Sequence, residues 1–268
     1  MERIEHHRGT LPGVRFIDAE YQRFAFPRHF HLDYHVGLVL AGRQRCSHAG
    51  ESRIAGQGDI LLMSPESIHD GASDDSQGYR IRVLSLDPIW LEQVARDLSG
   101  GRQGAPRLLA SQLRHETLQA RLHTLHQGFL QGERLEQESL LWAALAQLLD
   151  EASSLQVRSP EHGFDASTWT RLREWLESRL ESPPSLDEIA AFCDLSAWQV
   201  LRRFRHQCGL PPHQWLTQLR LERALPRVLK GQPLSEIALS LGFYDQAHFS
   251  RLFRRTYGLP PARLRAQS

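Results

Sequence analysis

The chain has no long apolar run, almost no lysine and few sulfur-bearing side chains. No stretch of its 268 residues approaches the ~18 apolar residues of a membrane helix, so a membrane-spanning protein is not expected. The amino terminus, MERIEHHRGT, is polar and lacks the apolar core and small-residue cleavage site of a secretory signal. Cys46, Cys193 and Cys208 are the only cysteines, lying far apart and in no metal-like spacing. That excludes a disulfide scaffold and a cysteine zinc finger, and points to reduced thiols in a cytoplasmic protein. Lys230 is the single lysine among 32 basic residues, a mark of coding bias rather than of function. No phosphate-cradling Gly loop, Ser-His-Asp arrangement or carboxylate pair is recognisable.

What is present suits two ordinary domains. Hydrophobic residues at 41% and charged residues at 24% are those of a soluble globular chain, which excludes a disordered one. The formal charge of +1 hides an asymmetry. Residues 165–268 hold 15 Lys+Arg against 10 Asp+Glu, and the rest holds 17 against 21. A basic C-terminal half beside an acidic N-terminal half suits one domain that meets phosphate and one that does not.

Texture divides the chain further. Up to about Asp87, short apolar runs such as Val36–Leu40, Ile60–Met63 and Tyr79–Leu84 are separated by Gly, Pro and polar clusters. Strand-length runs with frequent turn signals predict a β-sandwich or small barrel. From Pro106 to Ala152 the spacing turns helical. Leu113, Leu118, Leu122, Leu125 and Phe129 form one stripe, and Leu141, Leu145, Leu148 and Leu149 form another after a break at Gly128 and Gly132. Residues 153–167 lose this period and read as a linker.

The remainder, 168–268, is helical and carries an internal duplication. Leu186, Ile189 and Ala190 recur as Leu234, Ile237 and Ala238. Arg202, Phe204, Gly209, Pro211 and Pro212 recur as Arg251, Phe253, Gly258, Pro260 and Pro261. Each copy predicts a short helix, a tight turn (Cys193-Asp194-Leu195; Leu241-Gly242-Phe243) and a second helix capped by Ser196 or Asp245. The second helices bury Val200 and Phe204, or Phe249 and Phe253, and stop at Gly209 or Gly258. Their other faces offer Trp198, Gln199, Arg202, Arg203 and His206, or Gln246, Ser250, Arg251, Arg254 and Arg255. Arg and Gln can pair bidentately with base edges in the major groove, and clustered Arg neutralises phosphate. Two helix-turn-helix units with such faces imply double-stranded DNA as partner.

These residues resemble the AraC/XylS transcription regulators. The second copy, Leu234-Ser-Glu-Ile-Ala-Leu-Ser-Leu-Gly-Phe243 with Phe249, Phe253, Gly258 and Pro260-Pro261, is similar to the family signature. The resemblance implies seven helices, with a long one from Pro212 to Leu229 holding two reading heads apart. It implies that Trp198, Gln199 and Arg202 read bases in one groove segment, with Gln246, Ala247 and Arg251 at the corresponding positions of the next. Activation through RNA polymerase and dimerisation through 106–152 are further implications. Two departures are Pro226 within the long helix, a site for a kink, and Ala247, too short to read bases by hydrogen bonding.

In the N-terminal half, Pro27-Arg-His-Phe-His-Leu-Asp-Tyr-His35 with Gly42 resembles the first motif of the cupin barrel, and Gly58-Asp59, Pro65 and His69 resemble the second. His29 and His31, two apart on a strand, project to one face. His35 stands where the cupin Glu would be. Three readings stay open for His29, His31, His35 and His69: ligands of Zn, Fe or Ni, a polar pocket for a small-molecule effector, or structural histidines. The expected fold is α+β in two domains, a cupin-like barrel (1–105) with following helices (106–152), then a linker (153–167) and an all-α double helix-turn-helix domain (168–268). A cupin-type enzyme is the competing reading; the duplicated helix-turn-helix argues against it. A DNA-repair protein would need a reactive cysteine setting that none of the three cysteines has.

Overall fold

The computed structural model describes residues 2–48, 51–101, 106–155 and 162–265. Contacts divide the chain into two units, 1–131 with 140–158, and 132–139 with 159–268. Part of the expected linker, 156–161, lies outside the described residues.

The first unit is a curled antiparallel sheet. Its strands are β1 (Arg3–Arg8), β2 (Val14–Tyr21), β3 (Phe26–His29), β4 (Tyr34–His48), β5 (Glu51–Gly56), β6 (Ile60–Met63), β7 (His69–Ser73), β8 (Tyr79–Leu86) and β9 (Gln112–Leu113). The main path runs β1-β2-β8-β4-β6-β9. β4 has 15 residues and serves two surfaces. Its first half pairs with β6 and β8, and its second half, from Arg43, pairs with β5 and β7. The bend falls at an irregularity between Val39 and Ala41, next to Gly42 at φ 71°. A Cβ on Gly42 would sit 2.1 Å from the carbonyl oxygen of Gly78, so only glycine fits where the sheet folds over. Alternation along β2 sends Ile17, Ala19 and Tyr21 to the concave side and Phe16 and Asp18 to the convex side.

Three helices complete this region: α1 (Pro88–Leu98), α2 (Glu116–Gln131) and α3 (Arg134–Ala152). The helical stripe expected from Leu113 begins later. Leu113 pairs with Ile60 as the short edge strand β9, because a two-residue strand leaves no period to read. Gly128 does not break α2, which buries it and runs on to Gln131.

The second unit has seven helices among the described residues: α4 (Ala166–Glu177), α5 (Leu186–Cys193), α6 (Ala197–Cys208), α7 (Pro212–Leu229), α8 (Leu234–Ser240), α9 (Gln246–Tyr257) and α10 (Pro261–Arg265). α7 continues through Pro226 to Leu229. Phe204, Phe249 and Phe253 are fully buried beneath the two helix-turn-helix units. Among the described residues, no helix is long and apolar enough to cross a membrane.

Candidate effector cavity and nucleic-acid interface

The concave face of the sheet encloses a cavity of about 140 Å³. Ile17, Ile81, Val83, Met63 and Phe26 supply apolar wall, and His29, His31, His35 and His69 all line it. β3 and β7 bring two of them together, since His29 is the cross-strand partner of His69, with ring centroids 4.4 Å apart. The His31 ring lies 4.8 Å from that of His69 and stacks on that of His35 at 3.5 Å.

Three of these rings are fixed in the same tautomer. Nδ1 of His29 lies 2.8 Å from the carbonyl of Pro27, Nδ1 of His31 2.8 Å from that of Asp33, and Nδ1 of His69 2.8 Å from that of Ser67. A carbonyl can only accept, so each Nδ1 carries a proton, and on neutral His31 and His69 the Nε2 keeps its lone pair. Burial holds the His31 and His69 imidazoles below the usual histidine range and pushes His35 down to about 3. These three rings are therefore neutral near pH 7.

Sequence reasoning missed two other polar groups here, Gln44 and Tyr79. Four buried atoms around the cavity, His31 Nε2, His35 Nε2, Gln44 Oε1 and Tyr79 Oη, have no hydrogen-bond partner among the described residues. Burial, followed by the neighbouring Tyr21, raises the Tyr79 phenol, which stays protonated. No signal in the sequence singled out Gln44 or Tyr79.

Free Nε2 lone pairs backed by carbonyl-anchored Nδ1–H groups are the donor chemistry a metal wants. Their placement does not suit one. No three of the four histidines bring ligand atoms within 4.8 Å of one another, and the His31 and His35 rings lie face to face rather than converging.

The two helix-turn-helix units repeat each other closely. Ser185 caps α5 and Ser196 caps α6, each in a reciprocal capping box, with Glu188 and Gln199 respectively. Asp245 caps α9 through the backbone N–H of His248. The turn residues Asp194 and Gly242 are both left-handed, at φ 54° and 73°. Gly209 and Gly258 end α6 and α9 in the same conformation.

Gln246, Arg251 and Arg254 are exposed on α9, with Ser250 half-buried beside them. On α6, Trp198, Gln199, Arg202 and Arg203 are all half-buried. The Arg202 guanidinium lies 5.6 Å from the Trp198 ring, a cation–π distance that steadies both side chains. Gln199 Oε1 accepts from the Ser196 backbone N–H at 2.9 Å, leaving its amide hydrogens as the free end. Arg203 Nη1 points instead to the carbonyl of Gly163, at 3.5 Å, ahead of α4.

A barrel with a histidine-lined cavity, joined in one chain to two helix-turn-helix units, defines a ligand-responsive transcription regulator. Residues 11–149 match the AraC-like ligand binding domain, and residues 189–267 match a helix-turn-helix domain. The chain belongs to the AraC family of transcription regulators and is not an enzyme. It is 31% identical to the MmsAB operon regulatory protein of Pseudomonas aeruginosa, over 83% of this chain and 70% of that one. It is 24% identical to the transcriptional activator RhaS of Klebsiella pneumoniae, over 93% of this chain and 91% of that one. An AraC-type DNA-binding domain structure from Chromobacterium violaceum is 30% identical, covering 38% of this chain and 91% of that one, with a TM-score of 0.36.

Proposed function

We propose that the protein is a homodimeric, cytoplasmic transcription activator switched by a small molecule in the barrel cavity. The observation that carries this is the set of four unpartnered buried polar atoms around one cavity. Buried polar groups are nearly always paired, so four together mark a place where a ligand completes the bonding.

The effector's chemistry follows from the fixed tautomers. The imidazoles of His31 and His69 and Gln44 Oε1 offer lone pairs, and Tyr79 adds one hydroxyl. A ligand carrying O–H or N–H donors on one side and apolar surface on the other suits these walls. A carboxylate would face lone pairs and would enter only with a proton.

Trp198, Gln199, Arg202, Gln246, Ser250, Arg251 and Arg254 are assigned to DNA, with Arg203 turned mainly to the segment before α4. The helical pair α2–α3 is assigned to a two-fold dimer, the commonest oligomer, and RNA polymerase is the partner of an activator. The effector acts only through a difference in affinity between active and inactive states.

The test uses untagged protein screened by thermal shift against small polyols, amides and acids, followed by reporter assays. A true effector raises the melting temperature of wild type and loses that effect in His31→Ala and His69→Ala. If both variants keep full induction, the control site lies outside this cavity.

A further inference from the structure

The convex face of the same sheet holds a second histidine cluster. On β1 and β2, His7 is opposite Phe16, and Glu5 is opposite Asp18. His7 and Asp18 are therefore diagonal neighbours on one face. α2 lies over that face, with the His126 ring 5.0 Å from Phe16 and 5.8 Å from His7. The cavity described above is lined by Ile17 and Ala19, which point the other way, so the two clusters are separated by the sheet.

His126 occupies a core position of α2, flanked by buried Leu122, Leu125 and Phe129, and is itself only 5% exposed. Its Nε2 has no hydrogen-bond partner among the described residues, and neither has Asp18 Oδ1. A polar ring in an apolar stripe, 3.3 Å from Oδ2 of a carboxylate whose other oxygen is unsatisfied, needs an explanation. We propose that His7, Asp18 and His126 bind a divalent transition-metal ion that pins α2 to the sheet.

One ligand atom from each residue lies within 4.8 Å of the others, the only such group of three or more His, Cys, Asp or Glu among the described residues. His126 Nε2 and Asp18 Oδ2 are 3.3 Å apart. Tetrahedral zinc with bonds of about 2.0–2.1 Å sets its ligand atoms about 3.3 Å from one another, so this pair already has the right spacing. His7, with a side chain 26% exposed, closes the set by a side-chain rotation and leaves a path from solvent.

Two guanidiniums stand nearby and bear on the charge. Arg82 donates to Asp18 Oδ2 at 3.0 and 3.2 Å, and Arg80 Nη2 lies 3.7 Å from Oδ1. Arg82 also approaches His123 Nδ1 at 3.5 Å. A hydrogen-bonded ligand carboxylate is the usual outer shell of a metal site, and Arg82 fixes the carboxylate through Oδ2, the oxygen that faces His126 Nε2. Glu5, with Oε2 3.8 Å from His7 Nε2, offsets the second positive charge. Two imidazoles and one carboxylate select Zn²⁺ or Co²⁺ and select against Ca²⁺ and Mg²⁺, which want oxygen ligands.

The experiment titrates chelator-treated, untagged full-length protein with Co²⁺, read by visible absorption, and with Zn²⁺, read by thermal shift. Wild type is expected to bind one equivalent and to melt at higher temperature with metal. His7→Ala, a change at a partly exposed strand position, should bind roughly ten-fold or more weakly while its metal-free melting temperature is unchanged. The His31→Ala/His69→Ala double variant should still bind one equivalent. Absence of metal binding in wild type overturns the proposal. So does binding that survives His7→Ala and disappears in the double variant, which would place the ion in the cavity instead.

Discussion

Arg220 Nη1 donates to Glu133 Oε1 at 2.6 Å, and the arginine side chain is 3% exposed. The same guanidinium donates through Nε and Nη2 to the carbonyl of Leu180 and lies 5.6 Å from the Phe243 ring. One cation thus ties α7 to the end of the α4 segment, to the turn of the second helix-turn-helix, and to Glu133 just ahead of α3. Removing one partner of a buried pair strands the other in low dielectric. Arg220→Ala is expected to cost about 3–5 kcal/mol in urea melts. Arg220→Met with Glu133→Leu should cost less than the sum of the single changes, by about 1–3 kcal/mol in a double-mutant cycle. Additive effects would mean that the pair does not couple.

Asp194 and Gly242 occupy the same place in the two copies, yet only one is glycine. Both are left-handed, but a Cβ at Gly242 would lie 2.3 Å from the carbonyl oxygen of Leu180 and 2.6 Å from that of Glu181. Gly242→Ala is therefore expected to destabilise by about 2–4 kcal/mol. Asp194→Gly relieves a left-handed residue and should be neutral or stabilising by up to about 1 kcal/mol. A reversed ranking of the two in the same denaturation assay would show that the turns are not equivalent.

How much of this was written in the sequence depended on distance along the chain. The duplication was readable because each helix-turn-helix is local: caps at Ser196 and Asp245, stops at Gly209 and Gly258, and core pairs four residues apart. His29 and His31 were expected to share a face through strand alternation; they do share the cavity, but β3 ends at His29 and His31 lies in the connection to β4. Gln44 and Tyr79 were not, because a single polar residue on a strand says nothing of its facing side until register is known. Leu113 was misplaced because an edge strand of two residues has no period. The juxtaposition of His7, Asp18 and His126 is purely topological, a product of α2 returning to the back of the first hairpin.

Buried His213 and half-buried Glu136 make opposite demands on pH. Burial, with Arg205 nearby, pushes His213 down to about 4, below its unfolded value of 6.5. The folded state then binds fewer protons, so this contribution is present above pH 6.5 and lost as pH falls toward about 4. Burial and the neighbouring Glu133 raise Glu136 to about 6 from 4.5. Its contribution is present below pH 4.5 and lost as pH rises through about 6. Both side chains line one cavity together with Arg220, His248 and Arg255. Between pH 7 and pH 5, His213→Leu should gain about 2 kcal/mol relative to wild type, and Glu136→Gln should lose about 1 kcal/mol. Parallel pH–stability curves for wild type and both variants would remove these groups as the cause.

The arginines of the two second helices divide by what already holds them. Arg202 is steadied on Trp198, and Arg251, its repeat equivalent, is exposed on α9. Both project away from the phenylalanine core, on the faces proposed above to enter the major groove. Arg254 lies one turn further along α9 and is the proposed phosphate contact, and Arg203 is engaged with Gly163. Arg202→Ala and Arg251→Ala are each expected to cost about 1–3 kcal/mol on the cognate site and to relax base choice at one position. Arg254→Ala should weaken all sequences alike and reduce the salt slope by about 1. Arg203→Ala should change affinity least of the four. Selection from randomised DNA at two salt concentrations separates these outcomes. If Arg202→Ala or Arg251→Ala lowered affinity equally on every sequence, that side chain would be a phosphate contact. Base reading would then fall to its neighbours, Gln199 through its free amide hydrogens or Gln246 at the exposed start of α9.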